Sequence, residues 1–419
     1  MAQTTLEDWL ARIERLHPKS VDLGLDRVAV VRDAAGLAAD FPIIAVAGTN
    51  GKGSTCALLE AMFTRAGFRV GVYTSPHLLA FNERVRIGGM NAANGALCQA
   101  FERIEAARGP ISLTYFEFAT LAAIDLFQRA PVDAAVLEVG LGGRLDAVNA
   151  FDADCAVVTS VDFDHMDYLG PDRESIGREK AGIFRAGKPA VCADESPPRS
   201  MLDYANSLGA ELRLAGRDYG FVDEGSQWHF WSAAGRRAGL PHPALRGRFQ
   251  LANAAAAIAA IEAMHHRLPV DMGAIRQGLV GVELTGRFQV LPGKPTVVLD
   301  VAHNPQSART LAASLEEMPH SGRTLAVFAM LADKDIAGVV AALRPTVSQW
   351  FIGSLDVPRG ASAETVRSAL GEAAADARVF ADPALAYTAA RETAAGNDRI
   401  LVFGSFYTVS AVLRAMQSA

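Results

Sequence analysis

Cysteine is scarce in this sequence. The 419 residues hold four, Cys56, Cys98, Cys155 and Cys192, far apart and without a CxxC pair. Cysteines so placed, mostly in apolar runs, read as small buried hydrophobes in a reducing compartment, not as metal ligands or disulfides. Long apolar stretches are lacking too: none approaches the roughly 18 residues of a membrane span. The opening segment carries acids and no apolar core of a secretory signal, so a cytoplasmic protein without membrane association is expected. Positive charge is not in excess. With 40 basic against 46 acidic residues and a net charge of -6, the chain lacks the electrostatic footprint of a nucleic-acid binder. Half of the residues are apolar and 21% charged, an ordinary globular composition. At roughly 150 residues per domain, two or three domains are expected.

What the chain does have is a repeating rhythm of short, continuous apolar runs followed by helical segments. The runs Ile43 to Ala47, Val70 to Tyr73, Ala134 to Val139, Cys155 to Val161 and Pro189 to Ala193 suit a mostly parallel sheet covered on both faces. Between about residues 205 and 250 the pattern changes to a polar stretch around Tyr219 and Trp228, read as a small strand insertion, and an Ala-rich helix follows from Asn253. Turn residues near 284–295 mark a junction, after which the rhythm restarts at Thr296, Thr324, Gln349 and Arg399. The expectation is α/β throughout. An N-terminal ATPase-like domain with a phosphate loop would occupy residues 1–285, and a Rossmann-like domain residues 286–419.

The chemistry-bearing residues cluster where strands end. The strand at 43–47 runs into GTNGKGST at 48–55, then a helix. Glycines let backbone N–H groups approach a phosphate and the lysine supplies charge, so this is a variant phosphate loop, although the strict G-x-x-x-x-G-K-[ST] spacing fails. Glu138 closes an otherwise apolar strand, where an acid needs a cation. Beside a phosphate loop that cation is magnesium; pairing with Arg144 is the alternative. His165 follows the next strand, in a loop with Asp162 and Asp164. Spacing alone leaves Lys180 a solvated helix lysine. In the second domain Asp300 stands near a strand end, able to accept from a ribose hydroxyl. His303 precedes Asn304-Pro305, which could equally be a simple helix cap.

Together these residues resemble the folylpolyglutamate synthase/dihydrofolate synthase family, a branch of the Mur ligase superfamily. The likeness rests on GTNGKGS at 48–54, YTSPHLLAFNERVRI at 73–87, TYFEFATLAA at 114–123, EVGLGGRLDAVN at 138–149, DHMDYLG at 164–170, REKAGIFR at 178–185, LDVAHNPQS at 299–307 and LADKD at 331–335. It runs from Asp22 to Phe406.

The resemblance implies that Asn50, Gly51, Lys52, Gly53 and Ser54 bind ATP, joined by Asn253, Arg287 and Asp300 in a cleft between the domains. It implies magnesium ligands at Ser75, Glu138 and His165, and a carbamylated Lys180 supporting a second magnesium. Pterin-site segments correspond to Asp22, Leu23 and Gly24, to Thr114, Tyr115, Phe116 and Glu117, and to Leu145, Asp146 and Ala147. His303 and Ser405 fall near the incoming glutamate. Dihydropteroate, tetrahydrofolate and L-glutamate are the implied substrates, and a monomer the implied assembly. An acyl phosphate, formed when the acceptor carboxylate attacks ATP, would be captured by the amine of glutamate, with Lys52, Arg287 and magnesium neutralising charge. Three other readings stand beside this one: a folylpolyglutamate synthase without the first activity, another Mur-type amino-acid ligase, and a nucleotide-binding protein without catalysis. Only 47 residues precede Gly48, which argues against the second of these.

Overall fold

Every apolar run named above becomes a strand. In the computed structural model, which describes residues 4–319 and 321–418, the chain divides into two compact units: residues 1–244 with 251–282, and residues 245–250 with 283–419.

The first unit is built on β1 (Ile43–Ala47), β2 (Val70–Tyr73), β3 (Val85–Ile87), β4 (Met90–Asn91), β5 (Ala134–Glu138), β6 (Cys155–Val158), β7 (Pro189–Cys192) and β8 (Glu211–Leu214), in the spatial order β4-β3-β2-β5-β1-β6-β7-β8. From β2 to β8 all pairs are parallel, while β3 and β4 add antiparallel strands at one edge. β1 and β5 are buried along their whole length, because helices cover both faces and every side chain meets apolar surface. The register pairs Val46 with Glu138, Ala47 with Val158, and Tyr73 with Leu137. The loops leaving β2, β5, β1 and β6 therefore emerge side by side at one pole of the sheet. Strands β5 and β6 stop before their apolar runs do, at Glu138 and Val158. The remaining residues turn into those loops.

Strands β9 (Tyr219–Asp223), β10 (Trp228–Ser232) and β11 (Gly235–Leu240) form the expected insertion, an antiparallel sheet around the buried Trp228 and Phe230. Helix Met272–Gly281 packs so closely on the helix after β1 that a side chain at Gly278 would stand 2.7 Å from Met62.

The second unit is a six-stranded sheet of β12 (Gln289–Leu291), β13 (Thr296–Leu299), β14 (Thr324–Phe328), β15 (Gln349–Gly353), β16 (Arg378–Phe380) and β17 (Arg399–Phe403). Its order is β12-β13-β17-β14-β15-β16, parallel except for β12. Phe328 stacks on Phe403 with ring centroids 4.6 Å apart, at the centre of a core that includes Trp350. All four cysteines are buried free thiols. Among the described residues, no helix is long and apolar enough to cross a membrane.

Candidate active site

The expected phosphate loop is tied down by the loop that follows β6. Helix Lys52–Arg65 begins after Gly51, whose φ of +91° is open to glycine and strained for other residues. Thr49 N–H donates to the Ser160 carbonyl at 2.7 Å, and Asn50 N–H to the Ser160 hydroxyl at 3.1 Å. The Asn50 carbonyl accepts from Thr159 Oγ1 at 2.6 Å and Ser160 Oγ at 3.2 Å. Because a peptide group is planar, fixing that carbonyl on one side turns the Gly51 N–H to the other. Thr49 Oγ1 donates to the Asp162 carbonyl and accepts the Asp162 N–H, both at 3.0 Å. Lys52 Nζ lies over the same loop, donating to the carbonyls of Gly48 and Thr49 at 3.0 and 3.3 Å. Gly53 and Ser54 are buried in the first helical turn.

These hydroxyls were not singled out in the sequence, yet a Thr-Ser pair ending a strand beside a phosphate loop is a readable signal. The glycines have no room for a side chain. A Cβ on Gly48 would meet Thr159 Oγ1 at 1.9 Å, and one on Gly51 would meet Asn253 Oδ1 at 2.5 Å. Asn253 thus lies against the loop. Gly51→Ala is expected to cost about 1–3 kcal/mol, from positive φ and the clash together. The check is denaturant unfolding with and without ADP: the variant should lose stability and also gain less from the nucleotide than the wild type does.

Glu138 and Ser75 meet directly, the Glu138 carboxylate accepting the Ser75 N–H at 3.0 Å. Glu138 is 4% exposed. Arg144, the alternative partner, pairs with Glu179 at 2.8 Å. Glu138 and Lys52 both act on Cys56 within the helix: burial raises that thiol's pKa, Glu138 adds to the rise, and Arg86 and Lys52 oppose it. The register sets the end of β5, at Glu138, beside Val46 of β1, the strand that runs into the loop of Lys52. His165 sits in the left-handed region at φ 51°, at the start of the short helix Met166–Leu169, with Nε2 3.8 Å from Asp164 Oδ1.

Lys180 overturns the expectation from spacing. It is not a solvated helix lysine but 4% exposed. Burial, reinforced by the charge of Lys52, lowers its pKa to about 7, while Asp164 and Asp146 pull the other way. Spacing failed here because helix Arg173–Ala181 turns this face inward, which its alternation of charge does not reveal.

The donor set fits a hard divalent cation. Among the described residues no group of three or more His, Cys, Asp and Glu is gathered as a soft-metal site would require. One buried carboxylate with a serine, next to the expected phosphate loop, suits magnesium-class ions, since they retain waters and phosphate oxygens. His165 is the softer donor of the set.

The three segments expected to hold an acceptor converge in the first unit. Asp22 pairs with Arg27 at 2.7 Å, Arg27 pairs with Glu117 at 2.8 Å, and Gly24 N–H donates to the Leu145 carbonyl at 3.3 Å. Leu23 lies between Asp22 and Gly24, half-buried. Arg27, the knot of this arrangement, is not among the expected site residues, although it lies three residues after Gly24. Thr114 and Glu117 cap helix Tyr115–Arg129 reciprocally. Phe116 lies against Gly140, where a Cβ would meet its ring at 2.6 Å. Asp146 caps the turn Ala147–Ala150. Burial pushes its pKa up to about 7, against the amides of Leu141, Val148 and Gly140 and the charge of Lys52.

In the second unit Asp300 accepts the N–H groups of Phe288 and Ala302, both at 2.7 Å. Burial raises its pKa, and Arg287 is the first of the groups opposing the rise. Phe288 adopts φ 42° and Arg287 lies over the Phe406 ring at 5.0 Å, so the acid holds a strained turn that carries the arginine. His303 Nδ1 lies 2.9 Å from the Val301 carbonyl. The capping expected near it belongs to Asn304, which caps helix Pro305–Glu317 with Ser307. Ser405 is buried and caps helix Phe406–Gln417, its hydroxyl 2.7 Å from Thr408 Oγ1.

Comparison with known proteins adds to this geometry. Residues 46–261 match the Mur ligase middle domain, and residues 286–406 match the Mur ligase glutamate ligase domain. The dihydrofolate synthase/folylpolyglutamate synthase of Escherichia coli strain K12 is 46% identical over 418 residues, covering 100% of this chain and 97% of that protein. The solved structure of E. coli FolC in complex with DHPP and ADP superposes with a TM-score of 0.95 at 46% identity, covering 100% of this chain and 99% of that one. A crystal structure of a bifunctional folylpolyglutamate synthase/dihydrofolate synthase with Mn, AMPPNP and L-glutamate bound gives a TM-score of 0.93 at 46% identity, with coverage of 100% and 99%.

Proposed function

The chain belongs to the Mur ligase family and, within it, to the dihydrofolate synthase/folylpolyglutamate synthases, and from that premise we propose how its own residues carry the reaction. It is an ATP-dependent ligase that adds L-glutamate to dihydropteroate and to tetrahydrofolates, releasing ADP and phosphate. The observation that carries the assignment of roles is that β1, which runs into the loop of Lys52, pairs with β5, which ends in the buried Glu138, while Lys180 lies buried in the helix Arg173–Ala181.

A carboxylate is a poor acyl electrophile at neutral pH. Its oxygen attacks the γ-phosphorus of ATP, the bond to ADP breaks, and an acyl phosphate forms. The amine of glutamate then adds to the carbonyl carbon, phosphate departs, and the amine proton is lost to leave an amide. Phosphoryl transfer of this kind needs positioning and charge neutralisation above all.

The backbone from Asn50 to Ser54 cradles the phosphates at a helix N-terminus, with Lys52 drawn from the loop carbonyls onto their charge. Asn253, Arg287 and Asp300 complete the nucleotide contacts, Asp300 in part by holding the turn of Arg287. Ser75, Glu138 and His165 would hold a divalent cation, which supplies further neutralisation of the phosphoryl oxygens. Lys180, whose pKa burial lowers to about 7, is suited to take up CO2: its nitrogen bonds to carbon, a proton leaves, and the resulting carbamate would be a carboxylate able to support a second cation. Asp22, Leu23, Gly24, Thr114, Tyr115, Phe116, Glu117, Leu145, Asp146 and Ala147 receive the acceptor. His303 and Ser405 face the incoming glutamate.

With ATP, magnesium and glutamate, the purified protein should release phosphate on addition of dihydropteroate and, separately, of tetrahydrofolate. Silence with dihydropteroate alongside turnover of tetrahydrofolate would leave a folylpolyglutamate synthase, and silence with both would remove the ligase reading.

A further inference from the structure

Arg84 is a buried cation without a carboxylate partner among the described residues. It is 9% exposed and ends the turn Phe81–Arg84 before β3. Its carbonyl accepts the Thr74 N–H at 2.9 Å, which puts it beside Ser75 at the same pole of the sheet as Glu138. Nε donates to His77 Nδ1 at 2.8 Å. The guanidinium carbon stands 5.6 Å from the Phe81 ring centroid and 5.3 Å from that of Tyr115. Among the described residues the Nη nitrogens make no hydrogen bond, yet they are not among the sealed, unbonded side-chain atoms there, which are Trp9 Nε1 and Thr55 Oγ1. The fork therefore opens onto solvent-accessible space.

Neighbouring arginines are satisfied differently. Arg27 bridges Asp22 and Glu117, and Arg86 grips Glu60 through three hydrogen bonds. Removing a guanidinium from water without an anion is costly, and a planar fork set against aromatic rings is the geometry that receives a carboxylate through two parallel N–H bonds. The acceptor brings such a group. A carboxylate about to attack phosphorus must keep an oxygen exposed and electron-rich, whereas a two-pronged arginine engages both oxygens and withdraws charge from them. Arg84 is thus suited to a spectator. A pteroate acceptor has only the reacting carboxylate; a glutamate-terminated folate has a second one.

We propose that Arg84 binds the non-reacting terminal carboxylate of a glutamate-bearing acceptor and so sets the preference for folate over pteroate. The inference rests on the ligase reading and deepens it. In phosphate-release assays with ATP, magnesium and glutamate, wild type, Arg84→Lys and Arg84→Met are each compared on tetrahydrofolate and on dihydropteroate. Arg84→Met keeps an apolar stem. It is expected to lower the ratio of kcat/KM for tetrahydrofolate to that for dihydropteroate at least tenfold, through KM for tetrahydrofolate, with Arg84→Lys intermediate because it keeps charge but not the fork. If Arg84→Met does not fold, the fall in the ratio for Arg84→Lys carries the test. A parallel loss on both acceptors, or an unchanged ratio, would overturn the proposal and leave Arg84 as packing for Phe81 and Tyr115. Failure of the wild type on either acceptor is a separate result: it removes the two-acceptor reading and this inference with it.

Discussion

Lys52→Met should lower kcat/KM for ATP-dependent phosphate release by a factor on the order of 10^3, as befits a charged donor acting on a phosphoryl group where charge develops. The substitution removes an ammonium that lies 3.0 Å from the Gly48 carbonyl and is aimed along the phosphate loop. Its effect extends beyond the nucleotide. Lys52 is among the groups that lower the Lys180 pKa and among those that restrain the rise at Asp146. Without it both pKa values should climb, so that Lys180 holds its proton to higher pH. Two measurements separate these consequences. Isothermal titration with ADP reads the lost phosphate contact, and the pH dependence of residual activity should move to the alkaline side. Activity within threefold of wild type would exclude the loop as the phosphate site.

Lys180→Ala is the second large effect, expected to reduce turnover by about 10^2 to 10^3 if the side chain acts as a metal-supporting carboxylate. Rescue decides between chemistries: a short carboxylate such as propionate should restore part of the activity to the alanine variant, and ethylamine should not. The opposite pattern would show that an ammonium is needed and the carbamate is not formed. The pH dependence has a definite sign. In the unfolded chain Lys180 keeps its proton up to its ordinary value of 10.5, and in the folded chain only to about 7. Between these values the unfolded chain binds more protons, so this residue's contribution to stability rises with pH across that window, while below about 7 the full cost of a buried ammonium stands. Asp146, raised from 3.8 to about 7, acts on the acid side, its contribution falling as pH rises through that interval. Urea unfolding from pH 7 to pH 10 should therefore show a steeper rise in stability for wild type than for Lys180→Ala.

Much of the candidate site is legible in the sequence. Gly48 and Gly51 must be glycine for reasons the sequence signals, a turn between a buried strand and a helix, and the structure adds the side chains of Thr159 and Asn253 that forbid a Cβ. Glu138 announced itself as an acid in an apolar strand, and its partner proved to be the Ser75 amide and not Arg144. Nothing in the sequence around Arg27 and Arg84 marks either as part of the site. An arginine reveals its use only when one sees which anions surround it: two carboxylates for Arg27, and none among the described residues for Arg84.

The continuous apolar runs and the helical segments between them determined the α/β class, the restart of the rhythm after the junction near 284–295, and the loops where a site is expected, because burial on both faces of a parallel strand demands continuous apolar residues and sites form where such strands end. Only the tertiary structure decided the strand order β2-β5-β1-β6, which brings loops more than a hundred residues apart in the chain to one pole, and the burial of Lys180, whose lowered pKa comes from desolvation and from Lys52 across space. Periodicity is a local property of the chain, whereas desolvation and charge act between groups that folding alone makes neighbours.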